Sequence, residues 1–119
     1  MHMDTDKYII QQKFICDKLG VTFVHSDLDL RVGIADNVNS GLTPINGLRH
    51  PQADGTSGWF IWAGEYSDNE DFFKPYCVKH LDQIKPEVIK YLGLPPGHMF
   101  LIDNNGYEDI WFDKNLLDI

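Results

Sequence analysis

The side chains of this 119-residue chain that can do chemistry are few and scattered. Five histidines stand at His2, His25, His50, His80 and His98, and Cys77-x-x-His80 is the only close pair of soft metal ligands. Residues three apart on a helix share a face, so this pair could approach one ion. A zinc site needs further ligands at similar spacing, but no His-Glu-x-x-His occurs and Cys16 is the only other thiol. We therefore expect no metal and read His80 as an ordinary helix histidine. Nucleophilic chemistry fares no better: there is no Gly-x-Ser-x-Gly elbow, and neither cysteine stands in a Cys–His protease context. The run from Asp36 to Gly47 lacks the Gly-Lys-Ser/Thr ending of a phosphate loop. Asp103-Asn104-Asn105-Gly106 begins like a calcium loop but has neither the length nor the closing Glu, and reads as a turn. No catalytic residue and no cofactor are expected.

Carboxylates are the remaining candidates. Glu108 and Asp109 are adjacent, so on a strand they point to opposite faces and cannot act together. Asp109 stands in a pattern that would place it among Phe100, Ile102 and Trp111. A carboxylate there must find a donor, be raised in pKa, or lie at a rim. Glu65 follows Gly64 directly at the end of an apolar run and opens the next loop.

Such groups must be positioned by a scaffold, and the centre of that scaffold is Gly58-Trp59-Phe60-Ile61-Trp62-Ala63-Gly64-Glu65. As a strand, it sends Trp59, Ile61 and Ala63 to one face and Phe60 and Trp62 to the other. Neither face is polar, so the strand belongs inside a sheet, covered on both sides or with one side kept for a partner. Before it, Asp4 to Leu19 reads as a helix, with Asp4 or Thr5 as cap, Tyr8, Ile9, Ile15 and Leu19 as apolar stripe, and Gly20 as stop. Val21–Val24 reads as a short strand, His25–Asp29 as a turn, and Leu30–Ala35 as a strand with Leu30, Val32 and Ile34 on one face. The segment 36–57 carries Gly41, Gly47, Gly55, two prolines and several Asn and Ser residues. It is expected to be an irregular excursion pinned by Val38, Leu42, Ile45 and Leu48.

After the central strand, Ser67-Asp68-Asn69-Glu70 matches a capping box, predicting a helical turn through Phe72 and Phe73 that Pro75 ends. Tyr76 to Ile84 reads as a helix with Cys77, Val78, Leu81 and Ile84 inward. Pro86 opens a further turn and a half with Val88, Ile89 and Leu92 inward, capped by Gly93. Asn105-Gly106 is a strong hairpin signal. A two- or four-residue loop puts Phe100, Ile102, Tyr107, Asp109 and Trp111 on one side and Met99, Leu101, Glu108, Ile110 and Phe112 on the other. The hairpin is expected beside Trp59–Ala63. Helices follow strands in blocks, which predicts an α+β fold: an antiparallel sheet with helices mainly on one face.

The chain is long enough for one domain, 1–119, with its own core. No apolar run approaches the roughly 20 residues that span a bilayer, and the start has no signal-peptide pattern. We read Cys16 and Cys77 as thiols of a cytoplasmic protein, with a single disulfide as the alternative. Eighteen acids against ten bases give a net charge of -8. No Lys or Arg lies between Arg49 and Lys74, where Asp54, Glu65, Asp68, Glu70 and Asp71 fall; after Lys90 the only Lys or Arg is Lys114. Such a chain repels nucleic acid and anionic membranes and attracts basic partners. The plainer reading is that the acids keep a small domain soluble.

Three motifs in order complete the reading: Gly58 to Glu65, then Tyr91-Leu92-Gly93-Leu94-Pro95-Pro96-Gly97, then Gly106-Tyr107-Glu108-Asp109-Ile110-Trp111-Phe112-Asp113. Together, over roughly 56–113, they resemble the Imm33-type immunity proteins, also known as the DUF2185 group of small bacterial proteins. The resemblance implies a non-enzymatic antidote that binds and neutralises the cognate toxin of a bacterial polymorphic toxin system. It brings no catalytic residue with it. A basic toxin would suit the acidic surface, and on that reading Glu65, Asp68, Glu70, Asp71, Asp109 and Trp111 form the partner-binding group. The alternative is a small ligand-binding domain or enzyme that uses the Trp-rich strand and the 36–57 loop as a pocket wall. Oligomeric state is left open.

Overall fold

The computed structural model describes residues 5–118. Helix α1 spans Thr5–Leu19 and Gly20 follows at φ 71°, but the expected apolar stripe is corrected: Leu19 is exposed, and the buried positions are Gln12 and Cys16. The expected cap at Asp4 lies outside the described residues. Six strands follow: β1 (Arg31–Ala35), β2 (Ile45–Arg49), β3 (Thr56–Ala63), β4 (Phe73–Cys77), β5 (His98–Ile102) and β6 (Glu108–Phe112). They form one sheet in the order β4-β1-β3-β2-β5-β6. All pairings are antiparallel except β1 with β3. The fold is α+β, with the Trp-rich strand inside the sheet.

The two faces of β3 divide as its alternation requires. Trp59, Ile61 and Ala63 are 0% exposed and face the helical layer, made of α1, the short helix α2 (Leu81–Ile84) and the 3-10 segment Pro86–Tyr91. Val88, Ile89 and Leu92 turn inward, as their spacing predicts. Helix α1 docks on that segment through polar atoms: Gln12 Nε2 donates to the Ile89 carbonyl at 2.8 Å and Cys16 Sγ to the Gly93 carbonyl at 3.3 Å. Burial, with Asp17 beside it, pushes the Cys16 thiol up. Both cysteines are free.

Arg49 ties these layers together. It is 0% exposed, stands opposite Trp59 in the β2–β3 ladder, and its guanidinium lies 5.7 Å from the Trp59 ring. It donates to the carbonyls of Ser57 (3.0 Å), Val24 (2.8 Å), Leu94 (2.7 Å), Leu92 (3.4 Å) and His25 (3.4 Å). Burial lowers its pKa from the usual 12.5 to about 10, so it stays charged at neutral pH.

Several sequence expectations are corrected. Segment 36–57 is largely structured: Asp36–Asn39 is a 3-10 turn, and Ile45–Arg49 is β2, sandwiched between β3 and β5. Val38 and Ile45 are buried anchors, but Leu42 is exposed. Gly47 disguised the strand, and it is glycine because the Phe100 ring lies where its Cβ would be. Val21–Val24 is not a strand; its Val24 amide donates to the Gly93 carbonyl outside the sheet. Gly93 does not have the positive φ of a helix cap; it leaves room for Phe23 and Gln12.

No helix follows Ser67. Its hydroxyl accepts from the Asn69 amide, and Asn69 Oδ1 from the Asp71 amide, so local turns replace the capping box. Phe72 and Phe73 therefore lead into strand β4, which reaches Cys77. Pro75 is tolerated there because β4 is an edge strand. The expected helix from Tyr76 shrinks to the 3-10 turn Val78–His80 and α2.

The terminal hairpin forms with a register one residue from the expected one. Ile102 pairs with Glu108, leaving a five-residue loop. Asp103 Oδ1 accepts from the amides of Asn105 (2.8 Å) and Tyr107 (3.0 Å), and only Gly106 takes positive φ. An odd loop exchanges the faces of the whole returning strand. The hairpin also does not pair with β3, because β2 lies between them, although Phe100 still reaches Trp59 across β2 at 5.7 Å between ring centroids.

Arg49→Met should destabilise the fold by at least about 3 kcal/mol, since several buried carbonyls lose their donor together. The midpoint of urea unfolding checks this. Trp62 is 6% exposed, so Trp62→Ala should cost roughly 3–5 kcal/mol. That should lower the melting temperature by about 10 °C or more. His98 gives a pH dependence. It is buried beside Phe112 with its Nδ1 on the Pro95 carbonyl at 3.1 Å, and burial lowers its pKa. The unfolded chain then binds a proton more readily, so stability falls as pH drops below about 6.5 towards the lowered folded value. His98→Asn, which keeps a donor to Pro95, should flatten this step in a pH series of unfolding midpoints.

Candidate partner-binding face

Among the described residues, no α-helix packs on the second face of the sheet, although the 3-10 turn Lys114–Leu117 meets its edge where the Leu116 carbonyl accepts from His50 Nδ1 at 2.8 Å. Its composition follows from the register. One row across the strands is Gly33, Phe60, Leu48, Met99 and Trp111; the next is Trp62, Asn46, Leu101 and Asp109. Phe60, Leu48, Met99 and Leu101 are only partly buried, and Trp111 is 36% exposed. This is the floor of the candidate site, and it is apolar.

At one side of the floor, the 64–72 loop folds back over it. The Tyr66 ring stands edge-on to Trp62 at 5.3 Å and packs against Phe72 and Phe73 at 5.9 Å, while Phe73 meets Phe60 at 5.1 Å. These aromatics bury Trp62 without a helix above it. A shallow hollow of about 100 Å³ remains between Leu48, His50, Phe60, Tyr66 and Phe73. The loop that carries Tyr66 also carries Glu65, Asp68, Glu70 and Asp71, all exposed. Glu70 is not spent on a cap.

Asp109 and Trp111 lie at the far side, on edge strand β6. The shifted register turns both away from Phe100 and Ile102 and onto the open face, where Asp109 is exposed. The expectation that Asp109 sits among Phe100 and Ile102 is therefore corrected. Glu108 takes the inward position and accepts a hydrogen bond from the buried Tyr91 hydroxyl, whose ring stacks on Phe100 at 4.4 Å. Burial, then the bond to Glu108 and its charge, raises the Tyr91 pKa far above its usual value.

Asp109 thus lies on the open face, while the acidic loop meets that face through Tyr66. Asp109 and Trp62 are three strands apart in one row, roughly 14 Å. Sequence reading found both groups but missed the floor between them. Leu48 sat in a segment read as irregular, and Met99 and Leu101 gain their place only from pairing with β2. Two further anchors escaped it. Asn37 reaches the end of β3, with Nδ2 donating to the Ala63 carbonyl at 2.7 Å and Oδ1 accepting from the Ala63 amide at 3.0 Å. Asn46 Nδ2 donates to the Gly64 carbonyl at 3.2 Å and fixes the start of the acidic loop. Nothing in the sequence marks either as more than a loop asparagine.

Cys77 lies in β4 and His80 in the following 3-10 turn, so they are not on one helix face. Among the described residues, no three His, Cys, Asp or Glu side chains gather as a metal site would require, and no helix is long and apolar enough to cross a membrane.

No curated protein and no solved structure matches the chain. A family model does, over residues 11–113, which includes every element from within α1 to the end of β6. The chain belongs to the family of the Imm33-like domain.

Proposed function

We propose that this protein binds and neutralises a toxin protein, and that the open face of the sheet is the surface it uses. The observation that carries the reading is the uncovered apolar floor of Leu48, Phe60, Met99 and Leu101 with carboxylates on both sides. Surfaces of this kind combine an anchor region that excludes water with a charged rim that steers the partner. Glu65, Asp68, Glu70 and Asp71 form one rim; Asp109 and Trp111 form the other. The family supports the role, since its name is that of an immunity domain. The chemistry of the rims selects a toxin with a basic face and disfavours nucleic acid and anionic membrane. No catalytic step is assigned, because antidote action needs only occlusion. The ligand-binding alternative has less support: where the 36–57 segment meets the Trp-rich strand, at Leu48, His50 and Phe60, the hollow is about 100 Å³, small beside the roughly 300 Å³ or more of a ligand pocket.

The toxin encoded beside this protein provides the test. Changing Glu65, Asp68, Glu70 and Asp71 together to amides should slow association about tenfold at low salt and flatten its salt dependence, with unfolding midpoints unchanged. Leu101→Arg should raise the dissociation rate and cost about 2 kcal/mol of binding. Association rates unaltered in the amide variant, together with full affinity in Leu101→Arg, would move the toxin site off this face.

A further inference from the structure

The two edges of the sheet differ, and the difference points to a second copy of this chain. The edge strand β4 is guarded. The Val78 amide donates to the Leu30 carbonyl, which sets the ladder phase so that Pro75 stands at an outward position with no N–H to offer. Lys74 stands next to it, a further device that discourages strand pairing. The other edge, β6, reads Glu-Asp-Ile-Trp-Phe, with no proline, glycine or lysine. Its phase follows from two bonds that flank the hairpin, Asp103 N to the Tyr107 carbonyl and Asp113 N to the Gly97 carbonyl. These place the backbone groups of residues 107, 109, 111 and 113 toward β5. The N–H and C=O groups of Glu108, Ile110 and Phe112 therefore face outward, free of the ladder.

Beside that edge lies a groove of about 390 Å³ lined by the apolar Ile10, Phe14, Ile15 and Leu19 of α1 and Ile110 of β6, together with Gln11, Lys18, Lys90 and Glu108. Ile10 and Phe14 are each 68% exposed, the largest exposures among the big apolar side chains described. They lie on the same side of the sheet as Ile110, whose partner Phe100 faces the helical layer.

We propose that β6 pairs antiparallel with β6 of a second copy about a two-fold axis at Ile110, joining two sheets into one. The register is self-complementary. Ile110 meets Ile110 of the partner, and the outward groups supply six backbone hydrogen bonds in three reciprocal pairs. Glu108 falls opposite the partner's Phe112 and Asp109 opposite the partner's Trp111, so no carboxylate meets a carboxylate. The same axis brings the two α1 helices together, with Phe14 and Ile10 of each filling the groove of the other. The assembly rests on the edge geometry and not on the toxin reading, and it would bring the Asp109–Trp111 rims of two open faces together at the seam.

Sedimentation and light scattering on the full chain test it at about 100 µM, where an interface of Kd about 10 µM is mostly dimeric. The mass of two chains is expected. Phe14→Glu, an exposed helix position that leaves the core intact, should shift the dimer to monomer by at least tenfold in Kd. Ile110→Pro should do the same, since the lost N–H serves no bond to β5. Asp68→Asn should change nothing. Amide exchange adds a second readout: the outward Ile110 N–H should be slow in the concentrated wild type and fast in Phe14→Glu. A wild type that stays monomeric at that concentration, or a dimer that neither Phe14→Glu nor Ile110→Pro weakens, overturns the proposal.

Discussion

One buried guanidinium carries much of this architecture. Arg49 reaches from the middle of the sheet into the helical layer and meets five carbonyls there, with no carboxylate among its hydrogen-bond partners. Taking such a charge from water is costly, and the lowered pKa records that cost. The arrangement persists because carbonyls gathered in one dry region would lose a donor together if the guanidinium were removed. The planar fork, with its five donors, reaches three separate chain segments at once; a lysine ammonium offers three donors at one point. The Leu92 carbonyl shows the density of this junction: it also accepts from Ser26 Oγ at 2.6 Å and Trp59 Nε1 at 3.2 Å. Segment 24–26, segment 92–94 and strands β2 and β3 are held in one node.

That node lies on one side of the sheet only, and the asymmetry decides what the other side can do. On the helical side, glycine makes room for large rings: Phe100 covers Gly47 and stacks on Tyr91, and Trp59 packs beside Phe100 at 5.7 Å. The core closes there without further help. On the open side, the cover among the described residues comes from the aromatic group around Tyr66 and the contact of His50 with the Leu116 carbonyl at 2.8 Å. A sheet face of Leu, Met and Phe left half in water is an uncommon arrangement for a domain with no partner.

What the sequence by itself determined is local. The 3.6-residue period and the Gly20 stop defined α1, the alternation of Trp59 to Ala63 divided β3 between two faces, and Pro86 with Val88, Ile89 and Leu92 marked an inward turn. The sites of negative charge were equally plain, as was the resemblance carried by the three ordered motifs. Each of these rests on interactions within about ten residues, where side-chain period and turn chemistry act directly.

Only the tertiary structure decided the rest. Ile45-Asn46-Gly47-Leu48-Arg49 has a weak strand pattern, and it becomes an interior strand because β3 and β5 supply its hydrogen bonds and Phe100 supplies the bulk that Gly47 lacks. Ser67 to Glu70 has the letters of a helix start, yet the pull of β1 on Phe73–Cys77 and of Trp62 on Tyr66 outweighs one capped turn. The hairpin was clear from Asn105-Gly106, but its register was not. A one-residue difference in loop length turns on how Asp103 receives its amides, and that shift alone exchanged the roles of Glu108 and Asp109. Which carboxylate faces a partner and which one meets Tyr91 is a long-range outcome, because the period of two makes every face depend on a register that distant strands hold in place.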